Sequence, residues 1–178
     1  MAGFLEKHGI VRNAIRQDLR YFMVPAFVVM MGGLSVCGWD LVRHLRAQES
    51  QPSGVWTGSV NNYVGLALLG SGLAIMLLAQ ITLFRSYSST LVIRKDHRLI
   101  THGIYRFVRH PIYSGAMIGV IFGIPIFTAS LYGFLVLLLL VPVILKRIRM
   151  EEGLLIEEFG EVYQAYREST RALVPFVF

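Results

Sequence analysis

One cysteine, Cys37, in 178 residues excludes an intrachain disulfide, and its place inside an apolar run favours a buried free thiol. Charge is also scarce. Only 16% of residues are Asp, Glu, Lys or Arg, and from Pro111 to Leu145 there is none in 35 positions. No Ser-His-Asp, G-x-G-x-x-G or phosphate-loop pattern occurs. His110 has no second His, Cys or carboxylate at ligand spacing beside it, so no metal site is expected. Nucleic-acid-binding motifs are missing too, and the net charge of +6 is accounted for by attraction to anionic lipid headgroups.

What the chain does have is apolar length. A hydrophobic content of 54% and a mean hydropathy of +0.57 are too high for a soluble domain of this size, so much of the surface should face lipid. A hydrocarbon core about 30 Å thick needs roughly 20 apolar helical residues per crossing. Residues 21–42 and 63–84 meet that length. The uncharged block from Pro111 would be about 52 Å long as a single helix at 1.5 Å per residue, far beyond the bilayer. It therefore reads as a hairpin of two short helices, 112–128 and 130–146, turning near Thr128 to Ser130. The fold class is all-α: a polytopic helical membrane protein, single-domain over 1–178, with about four transmembrane helices, a tight C-terminal hairpin and a cytoplasmic tail helix. Six charged residues precede the first span, which is longer than a signal-peptide core, so that span should be a permanent anchor.

Lys and Arg test the arrangement independently. Residues 1–20 hold four, 43–62 two, 85–110 six, the 128–130 turn none and 146–178 five. The positive-inside rule places both termini and the 85–110 segment in the cytoplasm, on the same side as the tail. Phe4, His8, Val11, Ile15 and Leu19 share a helical face flanked by Arg12, Arg16 and Arg20, as in an interfacial amphipathic helix, though a plain polar leader is equally compatible. Residues 47–62 read as an exposed loop bracketed by Trp39 and Trp56, with Asp40 as a solvated carboxylate. Gly115, Gly119 and Gly123 form a small-residue ridge, open either to packing within the chain or to a homo-oligomer seam. Pro125 and Pro142 should kink their helices rather than end them.

The stretch KRIRMEEGLLIEEFGEVYQAYREST reads as one amphipathic helix leaving the membrane. Glu157, Glu158, Glu161 and Glu168 fall on its solvated side, whereas Glu152 falls inside the apolar arc and Glu151 at its edge. A carboxylate aimed into an apolar face requires a cation or several hydrogen bonds. His102, Arg106, Arg109 and His110 stand on the same side of the membrane. These groups fit either a structural clamp or a polar pocket at the membrane surface, and Tyr105 and Tyr113 fit either pocket walls or interfacial aromatics.

HGIYRFVRHPIYSG, an apolar hairpin, and then EEGLLIEEFGEVYQAYRESTRALVP together resemble the isoprenylcysteine carboxyl methyltransferase family and its phospholipid methyltransferase relatives. The resemblance covers residues 98–175 and rests on Leu99, Ile100, Gly103, Tyr105, Arg106, Arg109, His110, Pro111, Tyr113 and Gly115. In the tail it rests on Glu151, Glu152, Leu155, Phe159, Gly160, Tyr163, Tyr166 and Pro175. His102 stands where the family usually carries a small hydroxyl residue, and Ile104 where prokaryotic members carry proline.

This resemblance implies methyl transfer from S-adenosylmethionine to a lipophilic acceptor bearing a carboxylate, amine or thiol. It implies a cofactor site formed by Leu99, Ile100, His102, Gly103, Ile104, Tyr105, Arg106, His110, Pro111, Tyr113, Glu151 and Glu152, with Arg109 and Glu152 as the catalytic pair. Two other classes remain open at this stage. One is a nicotinamide-dependent membrane reductase, because sterol reductases carry a related C-terminal region. The other is a non-catalytic helical membrane module.

Overall fold

A computed structural model of the chain describes residues 24–49, 59–84 and 99–173. The amphipathic 3–19 segment, Trp56 and residues 85–98 lie outside these. Among the described residues the architecture is helical: α1 (Val24–Glu49), α2 (Val60–Phe84), α3 (Pro111–Phe127), α4 (Leu131–Phe159) and α5 (Glu161–Ser169). A short 3-10 turn, Gly103–Arg106, precedes α3. Val24–Ala47, Val60–Leu83 and Leu131–Phe159 are long and apolar enough to cross a bilayer, and Pro111–Phe127 is a shorter apolar helix. Large side chains on their outer faces, including Phe27, Val28, Leu66, Leu73 and Leu135, are exposed as lipid-facing residues would be. The molecule is a helical membrane protein.

The hairpin turns at Thr128 to Ser130, where the uncharged block had to fold back. Thr128 Oγ1 donates to the Ile124 carbonyl at 3.0 Å, and Ala129 takes a positive φ of 50°. Ser130 caps α4 by accepting the Gly133 amide at 3.0 Å. The tip is tied to both other helices. Ser130 Oγ donates to Asp40 Oδ2 on α1 at 2.6 Å, and Asn62 Nδ2 on α2 donates to the Phe127 carbonyl at 2.7 Å. Asp40 is thus half-buried and bonded rather than solvated, because the turn supplies it with a hydroxyl.

Along their lengths α2 packs on α3 and α1 on α4. The glycine ridge is what lets α2 and α3 approach. A Cβ at Gly115 would stand 2.5 Å from the Gly72 carbonyl, and one at Gly123 2.9 Å from the Leu69 amide. The ridge is covered from within the chain, so a seam between copies at these glycines would require α2 to be displaced.

Two features depart from the sequence reading. α3 is wound as a π-helix over Met117–Gly123 before returning to α-helix at Ile124. Pro125 lies just past that stretch and can donate to neither the fourth nor the fifth preceding carbonyl, so the ladder changes pitch there without ending. The tail is two helices rather than one. Gly160 adopts φ 54° and ψ −128°, a conformation that only glycine takes readily, and it separates α4 from α5. Pro142 leaves α4 continuous apart from a tightened turn at Leu139, whose amide bonds the Val136 carbonyl at 3.1 Å.

Candidate active site

Counting from the turn sets the depth of the site. Going back along α3, 17 residues reach Pro111 after about 25 Å; going forward along α4, 21 residues reach Glu151 after about 31 Å. The two distances are similar, so the start of α3 and the Glu151–Glu152 pair are brought level at the same end of the hairpin. Tyr113 Oη confirms the meeting by donating to Glu151 Oε1 at 2.7 Å across the two helices.

At that edge Arg109 Nε donates to Glu152 Oε1 at 2.8 Å, and the two side chains are only 9% and 10% exposed. Arg109 Nη1 also donates to the Arg167 carbonyl at 2.9 Å and to the Thr170 carbonyl. These bonds close the C-terminal turn of α5 onto the segment before α3. The backbones add to this: the Arg109 amide donates to the Arg171 carbonyl at 2.8 Å, and the His110 amide to the Ala172 carbonyl at 3.0 Å. Tyr166 Oη donates to the Tyr105 carbonyl at 2.7 Å. Burial pushes both phenols up to about 12, so they are neutral at physiological pH.

Glu151 forms the second half of the cluster. Besides Tyr113 it accepts from Arg147 Nε at 2.7 Å, a pairing one helical turn apart. His110 lies between the two acids. Its Nδ1 is 3.7 Å from Glu151 Oε2, and its Nε2 is 3.4 Å from Glu152 Oε1 without the alignment of a hydrogen bond. Burial lowers the His110 pKa below the usual imidazole range, against the opposing pull of Glu151 and Glu152, so the ring is neutral. Among the described residues, two buried side-chain polar atoms have no hydrogen-bond partner, His110 Nε2 and the Tyr163 hydroxyl. A half-exposed guanidinium, Arg167, faces the remaining Glu152 oxygen with Nε at 3.4 Å from Oε2.

The expected residues therefore divide. Arg109, His110, Pro111, Tyr113, Glu151 and Glu152 converge on one buried cluster with Tyr105 beneath it. Leu99, Ile100 and Ile104 are half-buried next to it in sequence, whereas His102 and Arg106 are exposed. Gly103 has φ 63° and comes so close to α2 that a Cβ would meet Thr82 at 3.2 Å. The structure adds Arg147, Tyr163 and Arg167 to the site. Arg147 was readable from its four-residue spacing to Glu151, whereas the other two depend on the turn at Gly160.

Three long apolar helices and a buried cation–carboxylate cluster at the end of an apolar hairpin define a helical membrane protein with a polar site. Residues 63–157 match the isoprenylcysteine carboxyl methyltransferase (ICMT) family, and the chain belongs to that family. It is 36% identical over 118 residues to a probable protein-S-isoprenylcysteine O-methyltransferase of Oryza sativa subsp. indica, covering 65% of this chain and 62% of that protein. It is 35% identical over 121 residues to protein-S-isoprenylcysteine O-methyltransferase A of Arabidopsis thaliana, covering 66% and 60%. With the Schizosaccharomyces pombe protein-S-isoprenylcysteine O-methyltransferase, identity is 38% over 88 residues, or 47% and 35% of the two chains. The match thus spans less than two thirds of these relatives' own length.

Proposed function

We propose that this chain is an S-adenosylmethionine-dependent integral membrane methyltransferase acting on a lipophilic acceptor with a carboxylate of the isoprenylcysteine type. It crosses the bilayer four times, with α3 as the short fourth crossing, and holds both termini and the site on the cytoplasmic side. The observation that carries this reading is the Arg109–Glu152 pair, which joins the segment before α3 to the tail at the end of the apolar hairpin. Family membership favours methyl transfer over the reductase and clamp readings.

The residues fit the cofactor. His110 Nε2 and the Tyr163 hydroxyl are buried polar atoms near this pair with no hydrogen-bond partner among the described residues, as expected where a polar ligand completes the bonding. Tyr105, Tyr113, His110, Glu151 and Glu152 would hold it from the buried side, Leu99, Ile100, Gly103, Ile104 and Pro111 would supply apolar and backbone surface, and His102 and Arg106 would stand at the rim. When bound, S-adenosylmethionine supplies an activated methyl group on a sulfonium.

Transfer of a methyl group between two held reactants depends on placement more than on acid or base chemistry. A carboxylate acceptor is already ionised at pH 7 and needs no base. Arg109 and Glu152 fix each other, so the catalytic contribution of the pair is to keep the two halves of the site in register while presenting a carboxylate oxygen and a guanidinium edge to the reactants. The apolar faces of α3 and α4 guide the acceptor's hydrocarbon chain in from the bilayer, and Arg109 orients its anionic head.

Labelled methyl transfer by the purified protein in lipid nanodiscs tests the reading. Transfer to a farnesylated cysteine, and far less to cysteine without the isoprenyl chain, is expected. Transfer to soluble carboxylates alone, or to none, would overturn it.

A further inference from the structure

Three guanidiniums, Arg109, Arg147 and Arg167, face two carboxylates, Glu151 and Glu152, around the neutral His110. Arg109 is committed to Glu152 and to two backbone carbonyls, and Arg147 to Glu151. Among the described residues of this cluster one positive charge is therefore in surplus. It resides on Arg167, whose side chain is 53% exposed and whose ion pair with Glu152 is the longer contact, at 3.4 Å.

Beside this surplus charge lie the two unpartnered atoms. Tyr163 is only 1% exposed and His110 7%, yet the Tyr163 hydroxyl has no hydrogen-bond partner among the described residues, and His110 Nε2 has only its misaligned 3.4 Å contact with Glu152 Oε1. A buried hydroxyl without a partner forfeits its bonds to water with nothing in return, so its presence at the wall of a site points to a ligand atom rather than to packing. Tyr163 stands edge-on to Tyr166, with ring centroids 5.9 Å apart, and Tyr166 is itself anchored to the Tyr105 carbonyl. The ring is thus held by packing, independently of its hydroxyl. His110 Nε2 lies 3.4 Å from Glu152 Oε1 and Arg167 Nε 3.4 Å from Glu152 Oε2, and the Tyr163 phenol is within electrostatic range of Glu152, Arg109 and Arg167, so the three groups surround one carboxylate.

From this placement we propose that the Tyr163 hydroxyl, His110 Nε2 and the Arg167 guanidinium together receive a carboxylate group of a bound reactant. Two neutral donors and one unbalanced cation match the lone pairs and single negative charge of a carboxylate. Tyr163 and Arg167 both belong to α5, whose position is set by the turn at Gly160. The inference rests on the methyltransferase reading, under which two carboxylates can enter: that of the cofactor's amino-acid end, and that of the acceptor.

Tyr163→Phe tests it. The lost hydroxyl bonds to no protein atom, so thermal stability in detergent should be unchanged or raised, whereas a structural hydroxyl would lower it. If the carboxylate is the cofactor's, calorimetric affinity for S-adenosylhomocysteine falls about tenfold while affinity for its decarboxylated counterpart stays at the wild-type value. If it is the acceptor's, S-adenosylhomocysteine binds as before and the KM for a farnesylated cysteine rises about tenfold. Arg167→Gln should reproduce whichever pattern is seen. Wild-type affinity and KM in both variants would mean that water fills the position, and would overturn the inference while leaving the methyltransferase reading intact. A wild-type protein that neither binds S-adenosylhomocysteine nor transfers methyl would overturn both.

Discussion

Arg109 Nε lies 2.8 Å from Glu152 Oε1 across 43 residues of chain, and the two side chains are among the most deeply buried charges of the described residues. Breaking a pair of this kind by removing one partner costs about 3–5 kcal/mol, because the other charge is left uncompensated. Arg109→Ala should therefore lower thermal stability steeply. Arg109→Lys keeps the charge but cannot reproduce a fork that reaches Glu152 and the Arg167 and Thr170 carbonyls together. It should recover less than half of the lost stability, as read from thermal unfolding in detergent; full recovery would show that charge alone matters.

The α2–α3 contact makes a prediction about size. Gly72 lies where a Cβ would stand 2.5 Å from the Gly115 carbonyl and 2.7 Å from the Gly119 amide, whereas nothing lies within 4 Å of a Cβ at Gly70. Gly72→Ala should force the helices apart and cost about 1–3 kcal/mol. Gly70→Ala should be neutral or should stabilise by up to about 1 kcal/mol. Unfolding temperatures of the two variants in one detergent provide the check.

Gly160 controls α5. Its φ of 54° with ψ of −128° is strained for any residue bearing a Cβ. Gly160→Ala should cost about 1–3 kcal/mol and shift the tail, together with the Tyr166–Tyr105 contact. Limited proteolysis of the 161–173 region should accelerate in this variant and not in Gly153→Ala, where a Cβ meets nothing within 4 Å.

His110 gives the site a pH dependence. Burial holds its folded pKa below the unfolded value of about 6.5, so the unfolded chain takes up a proton that the folded protein refuses. The stability associated with the neutral ring is complete above about pH 6.5 and is lost as pH falls from there towards the folded pKa. The slope cannot exceed about 1.4 kcal/mol per pH unit for one group. Thermal unfolding between pH 7.5 and 5.5 should show the fall, and His110→Asn should flatten it; an equal fall in the variant would assign it to another group.

Much of the architecture was legible because bilayer thickness acts as a ruler. A 35-residue uncharged run cannot cross once, and the fold-back at Thr128 to Ser130 followed from length alone. Glu152 was legible as the inward acid from helical periodicity, since α4 continues unbroken through that position. The arrangement beyond Phe159 was not, because one glycine reorients everything after it and periodicity carries no memory across a break. For the same reason the sequence does not mark Tyr163 and Arg167 as neighbours of the buried pair. The π-helical winding of Met117–Gly123 has no periodicity signal of its own, and the hydrogen bond of Asp40 depends on a turn 90 residues away. The glycine ridge was read correctly as a close-approach surface, but its partner, α2, required coordinates.

The most direct measurement is the calorimetric affinity for S-adenosylhomocysteine of the wild type, Arg109→Gln, Glu152→Gln and the double variant, each shown by circular dichroism to keep its helicity. Because the two residues fix each other, each single variant should lose at least about tenfold in affinity and the double variant little more than the worse single. Wild-type affinity in both singles, or losses that simply add in the double variant, would contradict a shared site closed by this pair.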